Sequence, residues 1–110
     1  MHEPVYSPEA LQDLDQIWED VYEVSGDLDT ADRYIAGIRN AISQKKTYPE
    51  TGKRLSYEGI FTGIYYVSFK AYHVFYRIHG TRLEVGRILY AASDYMKTLF
   101  GESEYTPEDE

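Results

Sequence analysis

Four cationic or titratable side chains in the second half of the sequence are spaced in a way that suits phosphate chemistry. His73, Arg77 and His79 recur at even spacings, so they share one face if their segment is a β-strand. Arg87 follows on a predicted neighbouring strand. Transfer of a phosphoryl group requires a base for the proton of the attacking hydroxyl, cations for the phosphate and an acid for the leaving oxygen. A cationic cluster on a sheet could supply these groups.

Three further side chains extend this candidate set: Tyr90, Tyr95 and Lys97. A guanidinium group can hold two phosphate oxygens at once, so phosphate contacts would favour Arg77 and Arg87. Base stacking would favour tyrosines. The alternative for the tyrosines is that they pack at the edge of the core with their hydroxyls at its rim.

Structural roles compete with the other assignments. A strand histidine such as His73 is commonly half-exposed, with an ordinary hydrogen-bond partner. The predicted face of Arg87 is otherwise aliphatic and carries Leu83, Val85 and Leu89. An arginine in such surroundings needs an acidic partner or an opening to a functional site. The alternative to a substrate contact for Arg77 or Arg87 is therefore an ion pair with a helix carboxylate, Glu84 or Asp94.

Two amphipathic helices are predicted to precede the strands. Ser7-Pro8 is a favourable helix start, because Ser caps a helix and Pro fits its first position. The apolar residues of the first helix recur at steps of three and four: Leu11, Leu14, Ile17, Trp18, Val21 and Val24. Its acidic residues are expected to form a solvated face, and Ser25-Gly26 ends it. A second helix is predicted from Asp29 to about Lys45, which gives a helical hairpin.

Aromatic and β-branched residues dominate after the helix-breaking residues 48–52. They predict strands at residues 64–69, 72–78 and 83–90, joined by tight turns and therefore antiparallel. Residues 3–6 could add an edge strand, and residues 93–100 are expected to form a short helix or turn. The predicted fold class is α+β, with an N-terminal helical hairpin packed on a small, mainly antiparallel sheet.

Charge is distributed unevenly along the chain. The formal net charge is -8, yet residues 1–32 hold ten acidic residues and no Lys or Arg. Residues 33–101 hold eleven basic and four acidic residues, a net of +7. The acidic average therefore does not exclude a nucleic-acid partner, although an acidic helix followed by an ordinary basic half is the alternative explanation.

Composition bounds the remaining possibilities. The absence of cysteine excludes disulfides and thiolate chemistry. No metal site is expected, since His2, His73 and His79 lack the spacing of a zinc site, and no glycine-rich phosphate loop or other cofactor motif occurs. We expect one domain over residues 1–101, a disordered acidic tail over residues 102–110, and a soluble, cytoplasmic protein without a membrane partner.

Several segments, in order, resemble the RelE/ParE superfamily of bacterial toxins. In the first half these are Tyr6-Ser7-Pro8-Glu9-Ala10, Ile17-Trp18, Ala31-Asp32-Arg33-Tyr34-Ile35 and Tyr48-Pro49-Glu50-Thr51-Gly52-Lys53. In the second half they are Tyr72 to Ile78, Leu83-Glu84-Val85, Arg87-Ile88-Leu89-Tyr90 and Ser93-Asp94-Tyr95-Met96-Lys97. The resemblance implies the toxin of a type II toxin-antitoxin pair, which a cognate antitoxin holds inactive. It leaves the oligomeric state open, so the chain could form oligomers with itself or with the antitoxin.

Two activities occur in that superfamily. ParE-like members poison DNA gyrase, and the helical motifs favour this branch slightly. RelE-like members cut mRNA on the ribosome, and for this case the implied catalytic set is His73, Arg77, Arg87, Tyr90 and Tyr95. Contacts to phosphate or target are expected of Lys70, Arg77, Arg87 and Lys97. An amphipathic antitoxin segment is expected over a sheet edge and an exposed apolar stripe at Leu14, Trp18 and Val21.

Ala91-Ala92 departs from the pattern of the toxins that the chain resembles. After a strand that ends like Ile88-Leu89-Tyr90, those toxins usually carry a glycine and then a basic residue. Here both positions are alanine. Phosphate binding at position 92 is thus in doubt, and a weakened or detoxified binding module is the third functional hypothesis.

Overall fold

The computed structural model describes residues 1–101, and its two long helices begin and end at residues suited to those positions. Helix α1 (Pro8–Ser25) is capped by Ser7, whose side chain accepts a hydrogen bond from the Ala10 N–H. It ends at Gly26, whose φ of 68° lies in the left-handed region. Helix α2 (Leu28–Ser43) is capped by the Asp27 carboxylate. Both ends of α1 are therefore set by local chemistry.

Five strands form one mixed sheet. They are β1 (Glu3–Tyr6), β2 (Lys53–Tyr57), β3 (Ile60–Phe69), β4 (Tyr72–His79) and β5 (Arg82–Tyr90). Their spatial order is β1-β5-β4-β3-β2, in which β1 runs parallel to β5 and every other pair is antiparallel. Two-residue turns join β2 to β5 in succession, and such turns place consecutive strands side by side. A short helix, α3 (Tyr95–Phe100), follows the sheet.

The predicted α+β architecture is confirmed, with differences in detail. β1 is indeed an edge strand, and α2 starts at Leu28, one residue before the predicted start. β2 was not predicted as a separate strand, because its five residues are mostly polar and exposed and only Leu55 is buried. The acidic tail at residues 102–110 lies outside the described residues.

The two faces of the sheet are covered differently. The helical hairpin packs on one face and buries the main core, which includes Ile38, Ile42, Val74, Tyr76 and Leu83. The opposite face, called the distal face below, carries a smaller apolar cluster. Its buried members are Leu55, Ile64 and Phe75, and residues of α3 pack against them.

A β-bulge in β5 changes which residues share a face. Phe75 pairs with Arg87 but Tyr76 pairs with Val85, which leaves Gly86 as an extra residue. Val85 therefore faces the helical hairpin while Arg87 faces the distal side, beside the pocket floor formed by Phe75. The prediction that Arg87 shares a face with Leu83 and Val85 was wrong, because strict alternation fails across a bulge.

Candidate functional site

The distal face holds a pocket of about 290 Å³ between the end of β1, the bulge in β5 and α3. Its walls are mainly apolar and include Val5, Ile64, Phe75 and Leu99. Three charged residues also line it: Arg77, Glu84 and Arg87. An apolar pocket with a few polar groups at its rim is the usual form of a binding site, so we treat this face as the candidate site.

Arg87 is held by a carboxylate of α1. Asp13 accepts hydrogen bonds from Arg87 Nε at 2.8 Å and Nη2 at 3.0 Å, and also from the Ile88 N–H at 2.9 Å. The Asp13 side chain is only 14% exposed and that of Arg87 is 31% exposed. The hydrogen bonds to Asp13 raise the pKa of Arg87. The prediction that the acidic residues of α1 form a solvated face was therefore wrong for Asp13.

Arg77 and the acidic residue opposite it have separate partners. Arg77 pairs across the sheet with Glu84, but its Nη1 donates to the Thr62 carbonyl at 3.3 Å. Glu84 instead binds His79 at 3.1 Å and Arg82 at 2.9 Å. Within the described part of the chain Arg77 forms no ion pair. Arg77 is therefore an exposed cation at this pocket, and no carboxylate of residues 1–101 pairs with it.

His73 lies farther along β4, among aromatic rings. Its Nδ1 is 2.8 Å from Ser68 Oγ, and its ring centroid is 4.5 Å from that of Tyr66 and 5.5 Å from that of Tyr95. Burial lowers the pKa of His73, and the nearby positive charge of Lys53 lowers it further. The ring is therefore neutral at pH 7 and could accept a proton.

The predicted catalytic set is only partly assembled. His73, Arg77, Arg87 and Tyr95 lie on the distal face, whereas Tyr90 packs against Tyr72 on the hairpin side of the sheet. His73 and Arg77 are four residues apart on one strand, about 13 Å between their Cα atoms by strand geometry. A base and a cation at that separation do not point directly at one phosphate, and Arg87 is already neutralised by Asp13.

The other predicted target contacts are dispersed. Lys70 lies in the β3–β4 turn, with a φ of 51°, and its Nζ is 5.5 Å from the Phe69 ring centroid. Lys97 is exposed on α3, where its N–H is bound by the Asp94 side chain that caps this helix. Neither lysine lines the pocket that Arg77 and Arg87 border.

Ala91 and Ala92 form the turn between β5 and α3. The Ala91 N–H donates to the Ala71 carbonyl at 2.7 Å, and the φ of Ala91 is not positive. The backbone thus does not require the glycine that the toxin pattern leads one to expect at position 91. Ala92 is exposed, so a basic side chain there would project from the surface.

The predicted antitoxin surface needs one correction. Leu14 is 3% exposed and belongs to the main core, so it is not available to a partner. Val21 is half-buried against the same core, whereas Trp18 reaches the surface and donates its Nε1–H to Asp32. Sequence reasoning missed Tyr22, which stacks on Trp18.

Asp13 is the site residue that sequence reasoning missed most clearly. It stands three residues after Ala10 and four before Ile17, both of which are buried. A carboxylate at that spacing lies beside the apolar stripe of the helix, where it needs a partner. This spacing was the available signal.

The fold is shared with solved toxin structures. It is similar to the chromosomal ParDE toxin-antitoxin system from P. aeruginosa, with a TM-score of 0.69, 17% identity and coverage of 82% of this chain and 96% of that one. It is also similar to a YoeB/ParE toxin from Agrobacterium tumefaciens, with a TM-score of 0.53, 19% identity and coverage of 80% of this chain and 96% of that one. A YafQ variant from E. coli has a TM-score of 0.52 and 14% identity, with coverage of 92% of this chain and 100% of that one. These likenesses show that the chain shares the fold of these toxins.

Sequence comparison narrows this class to one family. The family model for the ParE toxin of the type II toxin-antitoxin system parDE matches residues 5–95, and the chain belongs to that family. Comparison with individually curated proteins gives no match.

No group of three His, Cys, Asp or Glu side chains in residues 1–101 could hold a metal ion. None of the helices α1 to α3 is long and apolar enough to cross a membrane.

Proposed function

We propose that this chain inhibits DNA gyrase by binding, without catalysis of its own, and that a cognate antitoxin holds it inactive. The family assignment supplies the toxin role. The ion pair of Arg87 is the observation that favours binding over RNA cleavage, because Asp13 accepts hydrogen bonds from its guanidinium at 2.8 and 3.0 Å. A nuclease of this kind needs free cations that stabilise the charge developing on the phosphate. An arginine committed to an internal carboxylate supports binding rather than cleavage.

Arg77 is the side chain that we propose to contact the target. It is exposed, borders the apolar pocket and forms no ion pair within residues 1–101. Reversal of its charge in Arg77→Glu is expected to weaken growth arrest by at least tenfold in inducer dose, consistent with the loss of one charged interface contact. Arg33→Glu is the matched control, because Arg33 is an exposed arginine on the other side of the molecule. Equal toxicity of the two variants would contradict this role for Arg77.

Two assays with purified chain separate the gyrase target from the ribosome. A gyrase inhibitor is expected to block supercoiling of relaxed plasmid or to accumulate cleaved plasmid, and to leave translated mRNA intact in toeprinting. Cuts at the ribosomal A site without any effect on gyrase would refute the gyrase proposal and support the RelE-like alternative. In that case Asp13 would have to release Arg87 on the ribosome.

A second candidate function is an attenuated toxin that retains antitoxin binding. The exposed Ala92 favours it, because the toxin pattern places a cation at this position. The double substitution Ala91→Gly with Ala92→Arg is expected to increase growth arrest on induction if attenuation is correct, and Ala91→Gly alone is the control. No gain in toxicity over that control would rule out attenuation through these two residues.

The antitoxin is expected to be a small protein encoded beside this chain. A pull-down from the native operon should recover it, and its co-expression should relieve growth arrest. Recovery of the chain alone, with no neighbouring product, would count strongly against the toxin-antitoxin role.

A further inference from the structure

Two aromatic rings are stacked on α1, the half-buried ring of Trp18 and the exposed ring of Tyr22. The ring centroids of Trp18 and Tyr22 are 5.4 Å apart and the ring planes differ by 18°. The Trp18 Nε1–H donates to Asp32 Oδ1 at 2.9 Å, so its polar atom is satisfied and its orientation is fixed by α2. Tyr22 is 41% exposed. Because the two rings already restrict each other, a partner that stacks on them loses little free energy to the ordering of these side chains, which favours binding.

The surroundings of this aromatic pair are acidic. Glu19, Asp20 and Glu23 line a shallow depression together with the two rings. The first 32 residues contain no Lys or Arg, and the next cation, Arg33, is paired with Asp29 at 3.1 Å. The surface potential at the aromatic pair is therefore negative, and no basic residue of α1 offsets it.

We propose that this surface, formed by Trp18 and Tyr22 with Glu19, Asp20 and Glu23, binds an arginine-bearing amphipathic segment of the antitoxin. The identity of the partner rests on the proposed function, whereas its chemistry follows from the surface. A guanidinium is attracted to the face of an aromatic ring and also pairs with carboxylates. An acidic segment would be repelled by the surrounding carboxylates, and a purely apolar one would bury them without partners. Charge complementarity thus selects a basic occupant.

Trp18 is itself the probe for the test. It is the single tryptophan of the chain, so its fluorescence reports this surface alone. The wild-type chain is titrated with a short amphipathic helical peptide that carries arginines beside its leucines, and with a twin peptide in which glutamate replaces each arginine. The arginine peptide is expected to bind at least about tenfold more tightly at low salt, and its advantage should shrink as salt is added.

Variants of the chain locate the effect. Glu19→Gln with Glu23→Gln should weaken binding of the arginine peptide about fivefold, whereas Glu3→Gln with Glu50→Gln, which removes the same charge elsewhere, should change it less than about twofold. Tyr22→Ala should weaken it about threefold and Tyr22→Phe should leave it unchanged, since the ring and not the hydroxyl makes the contact.

Three results would overturn this inference. One is equal binding of the two peptides, and another is an equal effect of the two glutamine pairs. The third is self-association of the free chain that shields Trp18, which would make a second copy the occupant. The peptide titration requires no toxic activity. Absence of growth arrest or of a gyrase effect would therefore count against the proposed function only.

Discussion

The contact between Asp13 and Arg87 ties α1 to the bulged strand β5, and its loss should lower stability measurably. Asp13→Ala removes three hydrogen bonds and leaves a guanidinium that is 31% exposed without a partner. Breaking a buried ion pair from one side costs about 3–5 kcal/mol. Partial access of water to Arg87, and the gain of about 0.5 kcal/mol from the higher helix propensity of alanine, reduce this. We expect a net loss of about 2–3 kcal/mol in the free energy of unfolding.

Urea denaturation followed by circular dichroism measures this loss as a lower midpoint with an unchanged m-value. Arg33→Ala is the control, because the pair of Arg33 with Asp29 has both side chains 71% exposed and should contribute less than about 0.5 kcal/mol. Combining Asp13→Ala with Arg87→Met should recover part of the loss, because no charge is then left unpaired. A cost for Asp13→Ala no larger than that of the control would refute the reasoning.

Three further predictions concern the core and the distal face. Burial raises the pKa of Tyr76 to about 12, from its ordinary value of 10.0, so the folded protein keeps this proton to a higher pH than the unfolded chain does. The contribution of Tyr76 to stability should be present below pH 10 and be lost between pH 10 and 12. Midpoints of urea unfolding should fall over this pH range, and they should fall less in Tyr76→Phe. The pKa of His73 is lowered, so its NMR titration should have a midpoint below 6.5, and its contribution to stability should be lost as the pH falls below that value. Gly37→Ala brings a Cβ into the Phe69 ring, and the clash, of about 2 kcal/mol, is partly offset by about 1 kcal/mol from alanine in a helix, so thermal or urea unfolding should show a net loss of about 1 kcal/mol. Gly86→Ala, whose Cβ meets nothing within 4 Å, should cost much less, and equal losses would contradict the predicted clash.

Local sequence signals were sufficient for the helical half of the fold. Ser7-Pro8 and Gly26 set the ends of α1 through hydrogen bonds and backbone angles that depend only on neighbouring residues. The apolar period of α1 identified Leu14 and Ile17 as inward-facing. The same period could not predict that Leu14 is too deeply buried to contact a partner, because periodicity indicates which way a side chain faces and not how far it is buried.

The candidate site depended more on contacts between distant residues. Sequence placed His73 and Arg77 on one strand face, and the structure agrees, since alternation holds within β4. Tyr90 was grouped with them, but it lies three residues after Arg87, and alternation over an odd number of positions sends it to the opposite face. For Arg87 the sequence left a substrate contact and an ion pair with Glu84, Asp94 or a helix carboxylate open, and the structure shows an ion pair with Asp13 of α1.

The sequence by itself determined the class of fold, the family and the division into an acidic helical half and a basic sheet half, because these follow from residue order and composition. The tertiary structure decided the state of the charges. Asp13 and Arg87 are 74 residues apart in the chain, and only the packing of α1 on β5 beside the bulge at Gly86 brings them within 2.8 Å. Local patterns contain no information on such a distance, so whether Arg87 is free or neutralised could be known only from the folded chain.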